Sequence, residues 1–165
     1  MDIDKLTAIE KQLFKEMPEH GYFEDRDKYL LERNLYEKWA QVFEQYAILA
    51  QDGNLEALKR ALFFAWYQLS EPSPLSGIPK LDDSKCKLVF EMVDERCKKN
   101  SLDKELVWSL PYYFQICDYY FERFEPLAHL RLASEANVEL WKKEINPSSF
   151  VDRGQLGKYW AGMNV

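Results

Sequence analysis

The chain has 165 residues, 47% of them hydrophobic and 15% aromatic, which suits one folded domain and excludes a disordered chain. Its 22 basic and 28 acidic side chains leave a net charge of −6. No stretch is strongly basic, so binding driven by phosphate neutralisation is disfavoured, both for nucleic acid and for an anionic membrane surface.

Apolar spacing is helical along the chain. The expected class is all-α: a single-domain helical bundle or short helical array of six to seven helices. A first helix is expected from about Asp4 to Met17, ended by "MPEHGY". A long second helix is expected from about Glu24 to Gln51. Leu35, Trp39, Val42, Tyr46 and Leu49 form its apolar stripe, and Gly53 in "DGN" stops it. A third runs from about Asn54 to Ser70. Leu55, Leu58, Leu62, Trp66 and Leu69 point one way, while Phe63, Phe64 and Tyr67 cover the other faces. A helix apolar all round is buried, so this one is expected at the centre.

Residues 71–83, "EPSPLSGIPKLDD", carry three prolines and a glycine and are expected to be irregular. Loops approaching this length are commonly functional or mobile. A fourth helix is expected from Ser84 to Lys99, with Cys86, Val89, Phe90, Val93 and Cys97 inward. A fifth spans Leu102 to Phe124, kinked or split at Pro111. A sixth runs from Pro126 to Ile145. A hooked tail, 146–165, carries Phe150, Leu156, Tyr159, Trp160 and Met163. The segments "GNLEALKRALF" and "NSLDKELVWSL" echo each other, as bundle helices sharing caps and periodicity do.

The three cysteines are Cys86, Cys97 and Cys117. The first two fall about 16 Å apart on one helix at 1.5 Å per residue, too far for a disulfide. An odd number of thiols with no Cys-x-x-Cys suits a reducing compartment. The first residues, "MDIDKLTAIEKQLFKEM", have no signal-peptide apolar core. No apolar run reaches the ~18 residues of a membrane span. The expectation is a cytoplasmic protein.

Chemistry-bearing motifs are sparse. The two histidines, His20 and His129, follow Met17 and Pro126 by three residues, so no Glu-x-x-His pair exists. The cysteines lack zinc spacing. There is no Gly-x-Ser-x-Gly elbow and no phosphate-binding glycine loop. Gly154 and Gly157 in "RGQLGKYW" are read as marks of a flexible terminus. No metal, cofactor or catalytic residue is expected.

Polar residues at special positions supply the candidates. Asp118, Glu122 and Glu125 share one edge of the fifth helix as an acidic ridge, with Tyr112 and Tyr119 on its outward arc. Acidic residues beside aromatic anchors have the make-up of a partner-binding face. Glu32, on the core side of the second helix by periodicity, is either a surface partner of Lys28 or a carboxylate facing a cavity. Ser134 and Asn137, on the inner stripe of the sixth helix, either bond backbone or line a polar pocket. The leading expectation is a non-catalytic protein that binds a basic protein partner through its acidic, tyrosine-rich face. Small acidic helical proteins that neutralise a basic partner, such as toxin-immunity proteins, share this character. The alternative is a small-molecule-binding protein or enzyme with an aromatic cavity covered by residues 71–83.

Overall fold

The computed structural model describes residues 1–119, 123–124, 126–136 and 138–163. Among them every regular element is helical: α1 (Ile3–Glu16), α2 (Phe23–Glu32), α3 (Leu35–Gln51), α4 (Leu55–Ser70), α5 (Ser73–Ser76), α6 (Asp83–Lys98), α7 (Lys104–Ile116), α8 (Ala128–Ser134), α9 (Leu140–Glu144), a 3₁₀ turn (Pro147–Phe150) and α10 (Gly154–Ala161). The protein is all-α. Its ten α-helical segments among the described residues exceed the six or seven expected, because two long expected helices are broken and the 71–83 connection contains a short helix. No helix there is long and apolar enough to cross a membrane.

Several helices start at side-chain caps. Asp2, Asn54, Asp82 and Asp103 each accept a hydrogen bond from the amide three residues on, which satisfies a first-turn donor that has no intrahelical partner.

The helix expected from Glu24 to Gln51 is interrupted at Asn34, which takes a left-handed conformation with φ 53°. Core burial explains the break. Leu30 and Leu35 are both fully buried. On one continuous helix they would point about 140° apart, at 100° per residue. The kink brings both to the core and turns α2 toward α5. Asparagine tolerates this backbone better than most residues.

The fifth helix ends at Ile116 rather than Phe124, and Pro111 does not split it. Val107, whose carbonyl loses its usual donor at Pro111, is an exposed residue, where water can replace the missing bond. The sixth expected helix is divided into α8 and α9.

Residues 71–83 are structured in part. Ser73–Ser76 form α5, and Pro74, Ser76, Ile78 and Leu81 are buried. Gly77, with φ 80°, ends α5 against Trp39: a Cβ there would lie 2.6 Å from the indole Nε1 and 2.9 Å from Met17 Sδ.

As its composition implies, α4 is the central helix. Ala61, Leu62, Phe63, Phe64, Ala65 and Trp66 are all buried. The helix packs on α3 and α6 along its length and on α7 and α10 at its other face. Trp66 lies close to Tyr113 in a tilted arrangement, with centroids 4.6 Å apart, and its Nε1 donates to the Tyr113 carbonyl at 3.0 Å. The tail docks rather than hangs: Trp160 is fully buried and meets Trp108 edge-on at 4.8 Å.

Candidate functional site

A cleft of about 360 Å³ opens where five parts of the chain meet. The end of α1 and the following turn contribute Phe14, Met17, Pro18 and Glu19. Arg26 comes from α2, Tyr67 from α4 and Leu75 with Ser76 from α5. Gln155, Lys158 and Tyr159 come from α10. Ligand sites typically combine this scale, an apolar lining and a few placed polar groups.

The local sequence explains why these groups converge. Arg26 holds two walls together: its Nε donates to the Pro74 carbonyl at 2.9 Å and its Nη1 to the Pro18 carbonyl at 2.7 Å. Prolines have no amide to donate, but their carbonyls accept. Gln155 ties α10 to α5, donating from Nε2 to the Ser76 carbonyl at 2.6 Å. Ser76 Oγ accepts from the Ile78 amide at 3.1 Å, which fixes the turn below it. Lys158 Nζ sits 4.8 Å from the Phe14 ring centre, a cation–π contact. The Tyr159 hydroxyl is joined to that of Tyr112 at 2.5 Å. Burial pushes the Tyr67 phenol up to about 12, so it is a neutral hydroxyl at physiological pH.

Beneath the cleft lies a buried polar cluster. Glu10, on α1 between Leu6 and Leu13, is fully buried. It accepts from the Tyr46 hydroxyl and, at 2.7 Å, from the Gln155 amide. Arg60 Nη1 lies 3.8 Å from it and donates to Tyr46 Oη at 3.0 Å and Thr7 Oγ1 at 2.8 Å. Burial raises the Glu10 carboxyl to about 7, and the bonds from Tyr46 and Gln155 and the charge of Arg60 offset it only in part. Gly154, at φ 60°, is required here: a Cβ would fall 1.9 Å from Glu10 Oε1.

Next to Glu10, Arg153 grips two carboxylates. It donates to Glu56 from Nε at 2.8 Å and from Nη2 at 2.6 Å. It donates to Glu105 from Nη1 at 3.0 Å and from Nη2 at 2.9 Å. Lys59 completes the group with Asp103 at 2.9 Å and Glu105 at 3.0 Å. Burial works against the Glu56 charge, but Arg153 and Arg60 outweigh it and hold the carboxyl below its ordinary value.

The residues singled out from sequence do not form this site. Glu32 is exposed, 3.9 Å from Lys28, which is the surface-pair alternative and not the cavity-facing one. The reason is the break at Asn34, which puts Glu32 outside the stripe of α3. Ser134 is buried and donates to the Leu130 carbonyl at 2.8 Å, a bond within its own helix. Asn137, Glu122 and Glu125 lie outside the described residues. Tyr112 is only 6% exposed, packed edge-on against Trp141; this corrects its place on an outward arc. Tyr119 is 59% exposed, but it follows the end of α7 and does not share that helix with Tyr112. Asp118 is exposed and accepts from the Tyr119 amide at 2.7 Å. Cys86 and Cys117 are buried and Cys97 half-buried. Among the described residues no three His, Cys, Asp or Glu gather as a metal site would require.

The sequence reading passed over Glu10, Arg60, Arg153, Arg26 and Lys158. Glu10 carried a signal, being a carboxylate at i+4 between Leu6 and Leu13 on one helical stripe. Gly154 and Gly157, read as flexible, are instead sites of close approach, to Glu10 and to the Phe150 carbonyl. Compared with known proteins, the chain matches no family model, and no match was found among the curated proteins or the solved structures. The cleft must therefore be read from its own geometry.

Proposed function

We propose that the protein is a small-molecule-binding protein whose ligand occupies the cleft roofed by α5. One observation carries this reading: a 360 Å³ cleft lined by α1, α2, α4, α5 and α10, in which hydrogen bonds tie α2 to α5 and to the turn after α1, and α10 to α5. A site built before its ligand arrives binds with a smaller ordering cost. Binding, rather than catalysis, suits the wall groups. Ser76 Oγ is engaged by Ile78, and the neutral Tyr67 phenol is no base at physiological pH. A fragment screen by protein-observed NMR tests the reading. Hits should move the amides of Tyr67, Leu75, Gln155 and Lys158 together. Hits that cluster elsewhere reject it.

A second reading keeps the protein partner. Ile116 and Tyr119 are exposed on either side of the exposed Asp118 stretch, and this combination suits an interface rim. With a basic partner in hand, Asp118→Lys should slow association and Tyr119→Ala should speed dissociation. Unchanged rates in both variants remove this face.

A further inference from the structure

The two cations on the cleft wall differ from most cations of the molecule. Arg60, Arg153, Lys59, Lys38 and Lys85 each lie against a carboxylate. Among the described residues, Arg26 and Lys158 have no carboxylate within ion-pair distance. Arg26 meets only the carbonyls of Pro18 and Pro74, and Lys158 the face of Phe14. Both are nonetheless held in position. The two bonds of Arg26 engage Nε and Nη1 and leave Nη2 without a protein partner among the described residues. Among the described residues the one carboxylate that lines the wall is that of Glu19, an exposed residue. The lining side chains thus carry two positive groups against one negative, with Glu71 behind the wall close enough to act on the Tyr67 phenol, in a chain whose net charge is −6.

The remaining wall is flat and apolar: the rings of Phe14, Tyr67 and Tyr159 with Met17 and Leu75. The Tyr67 hydroxyl has no protein partner among the described residues. Guanidinium is a planar donor that matches a carboxylate, and aromatic walls favour a flat body. Resting on the reading of the cleft as a ligand site, we infer that it takes an organic monocarboxylate with a flat apolar body. The carboxylate sits between Arg26 Nη2 and Lys158 Nζ, and the body lies against Phe14, Tyr67 and Tyr159. Two cations against one lining carboxylate suit a monoanion rather than a phosphate dianion.

Three probes of one shape separate charge from fit: 1-naphthoate, 1-naphthalenemethanol and 1-naphthylmethylamine. Their affinities are measured by calorimetry and their position by the NMR shifts of Tyr67, Leu75 and Lys158. The expected order is naphthoate tightest, the alcohol about tenfold weaker, as for loss of a hydrogen bond to a charged group, and the amine weakest. Lys158→Met keeps the stem over Phe14 and should bring naphthoate down to the alcohol while leaving the alcohol unchanged. Arg26→Gln should act in the same direction, but it also loosens two wall contacts, so Lys158→Met is the deciding variant. Equal binding of acid and alcohol in the cleft, or a preference for the amine, overturns the carboxylate inference and leaves the cleft as a ligand site. Binding of no probe at millimolar concentration, or shifts elsewhere, overturns both.

Discussion

Arg153 and Lys158 are five residues apart, yet they live under opposite conditions. Arg153 is clamped by Glu56 and Glu105 through four hydrogen bonds. Lys158, a turn and a half along, has only an aromatic face. The difference separates two uses of charge. Pairing a mostly buried cation with two carboxylates fixes one packing of α10 on α4 and α7, since either charge left alone would be costly to bury. Leaving a cation at the wall of a cleft unpaired contributes little to stability and keeps its attraction for something else.

Breaking the paired side should cost most. Arg153→Met leaves Glu56 to Arg60 and Glu105 to Lys59, but it removes four charge-assisted hydrogen bonds and should lower unfolding free energy by about 3 kcal/mol, read by urea denaturation. Glu10 gives the next effect, and it depends on pH. Its carboxyl has an ordinary value of 4.5 and is raised to about 7 in the fold. Between these values the folded chain holds a proton that the unfolded chain has lost. Stability from this group is therefore full below 4.5, falls as pH rises through the window, and is flat above about 7. Glu10→Gln should remove that fall. Against it, the wild type should lose on the order of 2–3 kcal/mol across the window; parallel stability curves would show that Glu10 titrates normally.

Gly154→Ala should cost about 2 kcal/mol, from a left-handed backbone and a Cβ pressed on Glu10, seen as a lower Tm. Lys158→Met sits at the other end of the comparison. It should change stability by no more than about 0.5 kcal/mol in the same urea assay. A large loss there would mean that Lys158 is structural and that the two cations are alike after all.

Local signals made much of the fold legible. The helices α4 and α6 begin within a residue of the starts expected at Asn54 and Ser84. The unbroken apolar surface of α4 announced its central position. What sequence did not show depended on distant partners. The break at Asn34 follows from burying both Leu30 and Leu35, a demand set by the core and not by local propensity. For the cleft the limit was sharper. Arg153 finds Glu56 across 97 positions, and Gln155 finds Ser76 across 79. Neither meeting leaves a mark on local spacing. Glu10 did leave one: a carboxylate on an apolar stripe. The same signal at Glu32 misleads, because the kink at Asn34 takes it off the stripe of α3.

The bond from the Gln155 amide to Glu10 joins residues 145 positions apart. Its timing during synthesis follows from that separation. When α1 leaves the ribosome, Glu10 has neither Tyr46 nor Gln155 to satisfy it, and the second of these arrives last. At ordinary elongation rates the delay is on the order of ten seconds, far longer than helices take to form. The α3–α4 hairpin and α6 have no such wait. The two ends of the chain thus close the cleft as a late step, on a core that the middle of the chain has already built.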